Sequence, residues 1–317
     1  MINKSSVFTS TPLTNVSNAY SNKDYISELV APIVPVVKDT GRIYSYAADN
    51  LRIVNTYRSE GSKPNIVETT VSSAAHYVLE EHTLGEYISK EVLENAEKPI
   101  KPRIDVTEAL TDRIWVDKEK ALADVVTSTS SITSGNTTLS GTSQWNDYSN
   151  SDPIANIRTA ITSVKANSSM VPNTFIIAWN VMQTLIYHPD IVSLFPNAAV
   201  ITADMVASKL GSLFGLKKVM VGSAMYNNAN KGATDNVAEI WDKDCLIAYI
   251  EDSPSLKSRT LARTYTKGTR RQVELAPMNS GSLEQLQRKA DYIQVTDKYD
   301  QVLVDQATAY LIEAAIA

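Results

Sequence analysis

Three histidines, one cysteine and an uneven spread of carboxylates and basic residues are the groups in this chain that could do chemistry. His76 and His82 stand six apart, off the i, i+4 helical spacing that turns two imidazoles onto one metal, and no cysteine joins them. A surface or hairpin position accounts for them better than ligation, and His188 stands alone. Cys245 lies in an apolar run, Cys245-Leu246-Ile247-Ala248-Tyr249-Ile250, which suits a buried structural thiol rather than a nucleophile. A single cysteine also rules out an intramolecular disulfide and a multi-cysteine metal site. No Gly-x-Gly-x-x-Gly, phosphate loop or Gly-x-Ser-x-Gly elbow occurs, and spacing assembles no Ser-His-Asp set. Leu216 to Gly222 carries one glycine of a nucleotide-site start, but a core strand leading into a turn explains it better. Glu80, Glu81, Glu86, Glu91, Glu94 and Glu97 have the spacing of a solvated face. The sequence offers no catalytic, cofactor or metal site.

What remains is charge arranged for contact. From Lys38 to Lys63 there are five basic and three acidic residues; from Glu68 to Glu97 there are seven acids and one lysine, Lys90. If Arg52, Arg58 and Lys63 of one subunit met Glu86 and Glu91 of another, the interface would gain register and specificity more than affinity. Two unrelated solvated faces are the alternative. A second run, Lys257, Arg259, Arg263, Lys267, Arg270 and Arg271, has no acid between Ser253 and Val273. We expect a basic hairpin there, turning at Lys267-Gly268-Thr269, that faces nucleic acid, a neighbouring subunit or solvent. Only Tyr265 is interleaved for base stacking, which favours the subunit. The interface candidates are thus Arg52, Arg58, Lys63, Glu86, Glu91, Arg259, Arg263, Arg270 and Arg271.

The element that would carry the first group is an extended arm over residues 41–80. Leu51, Ile53 and Tyr57 alternate with Arg52, Thr56 and Arg58 on the way out. Val67, Val71, Tyr77 and Leu79 alternate with polar residues on the return. A polar turn with glycine and proline, Glu60 to Asn65, joins them. Strands of roughly 16 residues would reach about 50 Å at about 3.3 Å per residue. The radius of gyration of a chain this size is only about 20 Å. An isolated two-stranded hairpin is marginal in water, so the arm is expected to lie on another copy of the chain.

The remaining elements fall around it. Residues 1–24 read as a polar arm ordered only by neighbours, and 82–98 as a partly helical connection. A helix is expected from Asp105, with Glu108 completing a capping box, to Val126. Val106, Leu110, Ile114, Ala121, Leu122 and Val125 would form its buried face, with Asp112, Arg113, Asp117, Lys118, Glu119 and Lys120 outside. Residues 127–143 contain twelve Ser or Thr, too few apolar atoms for a core, and read as an exposed linker. Beyond it come a helix opened by Asp152-Pro153, a buried strand Phe175 to Ala178, and helices 180–187 and 203–214, the latter closed by Gly215. Strands follow near 218–222, 237–241, 246–250, 259–266, 272–275 and 289–296, with a short apolar helix or strand at 301–315. Helices and strands mix without βαβ alternation, which points to α+β. The totals agree with a globular chain: 317 residues, 43% hydrophobic and 21% charged. A net charge of −5 argues against a dedicated nucleic-acid-coating protein. No basic leader, h-region or roughly 20-residue apolar span occurs, so a soluble chain is expected.

In that order the parts resemble the major capsid protein of tailed bacteriophages. The residues that carry the resemblance are Asn173-Thr174-Phe175-Ile176-Ile177-Ala178-Trp179-Asn180-Val181-Met182 with Leu185 and His188-Pro189-Asp190-Ile191; Leu210-Gly211-Ser212-Leu213-Phe214-Gly215-Leu216; Val219 to Gly222; Tyr226-Asn227; and Ile240-Trp241-Asp242-Lys243-Asp244. The ordered set, spanning about residue 25 to the end, is more specific than any piece. The resemblance implies an N-terminal arm (1–40), the extended hairpin arm (41–80), and a peripheral domain on the spine helix (81–144). It also implies an axial domain (145–288) meeting its copies at five- and six-fold axes, and a return to the peripheral domain with the C-terminal segment (289–317). Some family members crosslink the arm through lysine and asparagine; Lys63 sits at the tip here, with no catalytic acid or partner asparagine to assign. Many carry a long helical scaffolding segment, whereas this short polar arm implies scaffolding by a separate protein, or none.

The resemblance makes the expected function structural and non-enzymatic. A coat subunit would self-assemble as pentamers and hexamers into an icosahedral virion shell around double-stranded DNA held by non-specific proximity. Assembly would occur in the host cytoplasm, with scaffold, portal and decoration proteins as further partners and no membrane. The alternative is a nanocompartment shell of the same fold enclosing cargo enzymes. A third reading, an α+β enzyme with an inserted hairpin, would require a cleft holding a titratable pair.

Overall fold

Pro102 opens the longest helix, where its fixed φ and missing N–H suit the first turn, and one helix and two long strands near it in the fold pack along that rod. The computed structural model describes residues 8–46, 52–68, 71–72, 75–196, 200–230, 232–252, 259–278 and 287–317. Along the chain come β1 (Phe8–Thr9), α1 (Thr11–Ala19), α2 (Ser27–Val30), β2 (Ile33–Pro35), β3 (Thr40–Arg42), β4 (Ser45–Tyr46), β5 (Val71–Ser72) and β6 (His76–Val78). Next are β7 (Glu80–Ser89), α3 (Lys90–Asn95), α4 (Pro102–Val126), β8 (Asn136–Thr138), α5 (Pro153–Ser168), β9 (Thr174–Ala178), α6 (Trp179–Tyr187), α7 (Pro189–Val192) and α8 (Ala203–Phe214). The chain finishes with β10 (Lys218–Gly222), β11 (Met225–Asn227), β12 (Val237–Glu239), β13 (Cys245–Ala248), β14 (Ala262–Ala276), β15 (Ala290–Leu303) and β16 (Ala309–Glu313). This is the expected α+β mixture.

Two sheets organise the described residues. In the first, the order is β1-β14-β15-β7, with β2 parallel on β14. Its centre is the long antiparallel pair β14–β15, running in register from Ala262↔Leu303 to Ala276↔Tyr292 with a shift between Thr266 and Arg271. Leu13 of α1, Leu110 and Ile114 of α4, and Val273, Leu275, Ile293 and Val295 of the sheet form one buried cluster. The second sheet has the order β10-β9-β13-β16-β8. β9 and β13 are buried at every residue, the continuous apolar pattern of strands covered on both faces. Their Phe175, Ile177, Leu246 and Ile247 share a core with α5, α6 and α8.

Several expectations change. Among the described residues the arm is laddered only at its base, where β3 pairs with β6 and β4 with β5. Residues 52–68 form no strand, because every residue there is exposed and a lone pair of strands has no face to bury. At the tip, Gly61 takes a φ of 78°, Ser62 donates to the Ser59 carbonyl at 3.1 Å, and Asn65 Nδ2 bonds the Asn55 carbonyl across the loop at 2.5 Å. Leu51 of the expected outgoing strand lies outside the described residues. The N-terminal segment does not wait for a neighbour: Phe8 and Thr9 pair with Leu275 and Glu274, and α1 packs on β14 and α4 with Ser17 bonded to Thr111 at 2.8 Å.

Of the segment 82–98, expected to be partly helical, Lys90–Asn95 is the helix α3, while 82–89 belong to the ten-residue strand β7. The long helix starts at Pro102, and Asp105 reaches back to accept the Lys101 amide at 3.2 Å instead of serving as the N-cap. The Ser/Thr-rich segment is not wholly an exposed linker, since Ile132 and Leu139 are buried and β8 extends the second sheet. The basic run is not a hairpin: 262–276 is one strand that passes 267–269 with only a register shift. Within residues 289–317, β15 lies in the first sheet and β16 in the second, between β13 and β8.

Candidate assembly surfaces

The arm presents the sharpest surface. Ile53, Tyr57, Ile66 and Val67 are 103, 77, 91 and 64% exposed, more apolar side chain than a solvated tip would keep without cover. Arg52, Arg58 and Lys63 are exposed on the same stretch. On the other candidate face, β7 is an edge strand, paired on one side with β15. Glu86 sits on it, half-exposed and 4.0 Å from Arg113 of α4. Glu91 follows, exposed in the first turn of α3, and Lys90 pairs with Glu94 at 3.3 Å. Glu86 and Glu91 therefore share one edge, while no ion pair among the described residues joins them to Arg58 or Lys63.

The second basic group turns inward. Arg259 is held by Asp305, Nε at 2.9 Å and Nη2 at 2.6 Å, and its Nη1 donates to the Ser168 carbonyl at 2.8 Å. Arg263 and Arg271 are 0% and 1% exposed. Arg263 donates to the Tyr265 hydroxyl at 3.3 Å, and Arg271 lies 5.2 Å from the Trp115 ring. These two are therefore not surface contacts in this protomer, because β14 is an interior strand of the first sheet, covered by α1, instead of a hairpin turning into solvent. The Arg270 side chain lies outside the described residues.

The residues that join the two sheets escaped the sequence reading. Glu119 of α4 is fully buried. Its Oε1 accepts the Ile26 amide at 3.1 Å and the Trp241 indole N–H at 2.8 Å, and its Oε2 accepts the Ser27 amide at 2.6 Å. Burial pushes its carboxyl up, while the indole and amide donors oppose that rise. One carboxylate thus ties the spine helix to the N-terminal segment and to the turn before β13. Asp242 makes that turn at φ 46°, a left-handed conformation aspartate tolerates. The Trp241 ring lies against Gly222, leaving no room for a Cβ there. Beside it, Lys118 is 2% exposed, 3.2 Å from Glu28 and 4.6 Å from the Tyr299 ring centroid. Burial pushes its ammonium down to about 8, with Asp297 opposing and Arg271 assisting.

A Ser-His-Asp arrangement does exist in space. Ser151 Oγ lies 3.0 Å from His188 Nε2, and Asp190 Oδ2 lies 3.6 Å from His188 Nδ1. Its proton directions are wrong for nucleophilic catalysis. The Asp190 backbone N–H donates to Nδ1 at 3.2 Å, so the neutral ring carries its proton on Nε2 and donates to Ser151. Ser151 in turn donates to the Asp147 carbonyl at 2.7 Å. A triad needs Nε2 as the base and the carboxylate on Nδ1–H. Cys245 is buried, its thiol pushed well up by burial and Asp244. Among the described residues no three His, Cys, Asp or Glu side chains gather for a metal, and no helix is long and apolar enough to cross a membrane.

No family model matches the chain. Two curated major capsid proteins are similar to it. That of Burkholderia phage BcepMu is 24% identical over 240 residues, 75% of each chain. That of Pseudomonas phage JBD67 is 26% identical over 308 residues, 96% of each. Among solved structures, a phage-related protein from Bordetella bronchiseptica matches with a TM-score of 0.75 at 21% identity over 97% of each chain. The capsid of cyanophage P-SCSP1u gives 0.60 at 8% identity, over 93% of this chain and 89% of that one. The SrpI encapsulin of Synechococcus elongatus gives 0.52 at 9%, over 96% and 95%. The chain has the tailed-phage major capsid fold. Its sequence similarity to tailed-phage major capsid proteins extends over nearly its whole length.

Proposed function

We propose that this chain is a structural coat subunit that self-assembles through pentamers and hexamers into an icosahedral phage shell around double-stranded DNA. The arm carries the reading: residues 52–68 project Ile53, Tyr57, Ile66 and Val67 almost fully exposed, and a second copy is the surface that would cover them. Arg52, Arg58 and Lys63 on the arm, and Glu86 and Glu91 on the β7–α3 edge, have the charges for such a contact. Complementary charge there would set register more than affinity. Arg259, Arg263 and Arg271 serve each subunit's interior instead.

In this reading most of residues 145–288, with the second sheet, form the axial region, and α4, β7 and the β14–β15 pair form the peripheral one. The DNA is held by proximity, scaffold, portal and decoration proteins are further partners, and assembly in the host cytoplasm ends in the virion. Negative-stain electron microscopy with sedimentation at matched concentration tests it. The full chain is expected to give closed shells, or rings of five and six. Removing residues 50–70 is expected to leave a folded chain that closes no shells; a variant that unfolds, or still closes shells, refutes the arm's role. The encapsulin likeness keeps a nanocompartment shell as the second reading, and the contents of purified particles, DNA or enzyme, separate the two.

A further inference from the structure

The hydrogen-bond chain through His188 has one vulnerable link. Its ring is 1% exposed. Nε2 already carries a proton toward Ser151, so an added proton can only enter at Nδ1. That nitrogen is the acceptor capping α7, taking the Asp190 amide at 3.2 Å. An imidazolium carries N–H groups on both nitrogens, so protonation sets a donor against a donor. The Ser151 bond survives, and the cap on α7 does not.

We propose that His188 is a proton-sensitive cap: neutral it fastens the start of α7, and protonated it must release the Asp190 amide and draw that residue's carboxylate onto Nδ1 instead. The ingredients of the second state are in place. Asp190 Oδ2 waits at 3.6 Å and its side chain is 44% exposed, so it can move. Four other titratable groups stand near the ring in the elements around it. Asp152, the N-cap of α5, is committed to the Ala155 amide at 2.8 Å. The Asp147 carboxylate is taken by Ser149 and Asn150. Tyr148 meets the ring edge-on at 5.7 Å, and Tyr187 ends α6 immediately before it. Burial disfavours the imidazolium and Asp190 and Asp152 favour it, with burial prevailing. Ile191 is buried one residue on, and Leu194 and Phe195 pack against the core, so a released cap loosens a segment the core still anchors.

The chain's three histidines make the test tractable. Magic-angle-spinning NMR of the 15N-histidine-labelled full chain reads tautomer and titration in free subunit or shell alike. Hydrogen exchange of residues 188–196, corrected for intrinsic rates, reads the cap. We expect the Nε2–H tautomer at pH 7.5, and a loss of protection of about fivefold or more by pH 5 as the ring titrates, the scale of a lost cap. His188→Asn, whose side-chain oxygen can take the same i+2 amide as an Asx turn, should show no such step. An Nδ1–H tautomer, a ring still neutral at pH 5, or unchanged protection while it titrates would each overturn the proposal. If the Asn variant fails to fold, the wild-type tautomer and protection decide alone.

Discussion

Replacing Trp241 by phenylalanine isolates the joint between the two sheets. The substitution removes the indole N–H that Glu119 Oε1 accepts at 2.8 Å and leaves the Ile26 and Ser27 amides in place. A hydrogen bond to a charged group contributes about 1.5–3 kcal/mol. Contracting the ring beside Gly222 adds about 1 kcal/mol of cavity cost. The expected loss is therefore about 2.5–4 kcal/mol where the carboxyl is ionised, read from urea melts of unassembled subunit with unchanged slope.

The pH dependence makes the test specific. The Glu119 carboxyl titrates above its usual value when folded, so its contribution is complete below about 4.5 and is lost as pH rises through the folded pKa. Removing the indole takes away one of the groups holding that pKa down and moves it higher. The cost of Trp241→Phe should therefore grow as pH rises through the folded pKa. In a Glu119→Gln background the indole faces a neutral side chain, and the cost should shrink by about 1–2 kcal/mol, the coupling expected of direct neighbours. A cost below about 0.5 kcal/mol, or one that is flat with pH and unchanged by Glu119→Gln, would mean the joint is held by packing alone.

Two further perturbations probe the same region. Gly222→Ala places a methyl group into the buried Trp241 ring and should cost about 1–3 kcal/mol; combined with Trp241→Phe the penalty should fall short of the sum, as parallel melts would show. Asp244 is pushed up to about 6 by burial, with Asp242 and Glu313 adding to the rise and the Ala314 amide opposing it. Its contribution is complete below about 3.8 and is lost as pH rises through about 6. Asp244→Asn, which keeps an acceptor for that amide at 2.9 Å, should thus raise the melting temperature at pH 7.5 and have little effect at pH 4; a lower melting temperature at both would contradict the assignment.

The parts legible in the sequence were those where local signals and tertiary packing agree. Asp152-Pro153 opens α5 with the Asp152 side chain accepting the Ala155 amide, and Gly215 ends α8 in the left-handed conformation its position requires. The apolar run at 174–178 is a fully buried strand. What misled were signals read without knowledge of what lies opposite. The alternation at 51–58 resembles a strand, but a ladder needs a partner and a face, and among the described residues only the base of the arm has both. The arginines at 263 and 271 resemble a solvated basic hairpin, because nothing local announces that β14 passes beneath a helix. Proximity of Ser151, His188 and Asp190 arises from the α6–α7 corner folding against the α5 entry, which no spacing rule encodes.

The long helix shows how a legible signal can still be misread. Its buried positions are Thr107, Leu110, Thr111, Ile114, Trp115, Lys118, Glu119, Leu122, Ala123 and Val126, an unbroken stripe with the helical period. A face built on Ala121 and Val125 drifts off that stripe, and Ala121 is exposed. The drift came from treating Lys118 and Glu119 as necessarily solvated, since lysine and glutamate are almost never fully buried unless paired. Continuing the period from Ile114 and Trp115 to Leu122 and Ala123 requires both charges to point inward. The partners are then specified by chemistry: a carboxylate, Glu28, for the ammonium, and convergent N–H donors for Glu119. Those donors come from the N-terminal segment and from the turn before β13, so the helix cannot bury its stripe without fixing both. The two charges that interrupt the apolar pattern are thus the place where the spine helix is joined to the rest of the subunit.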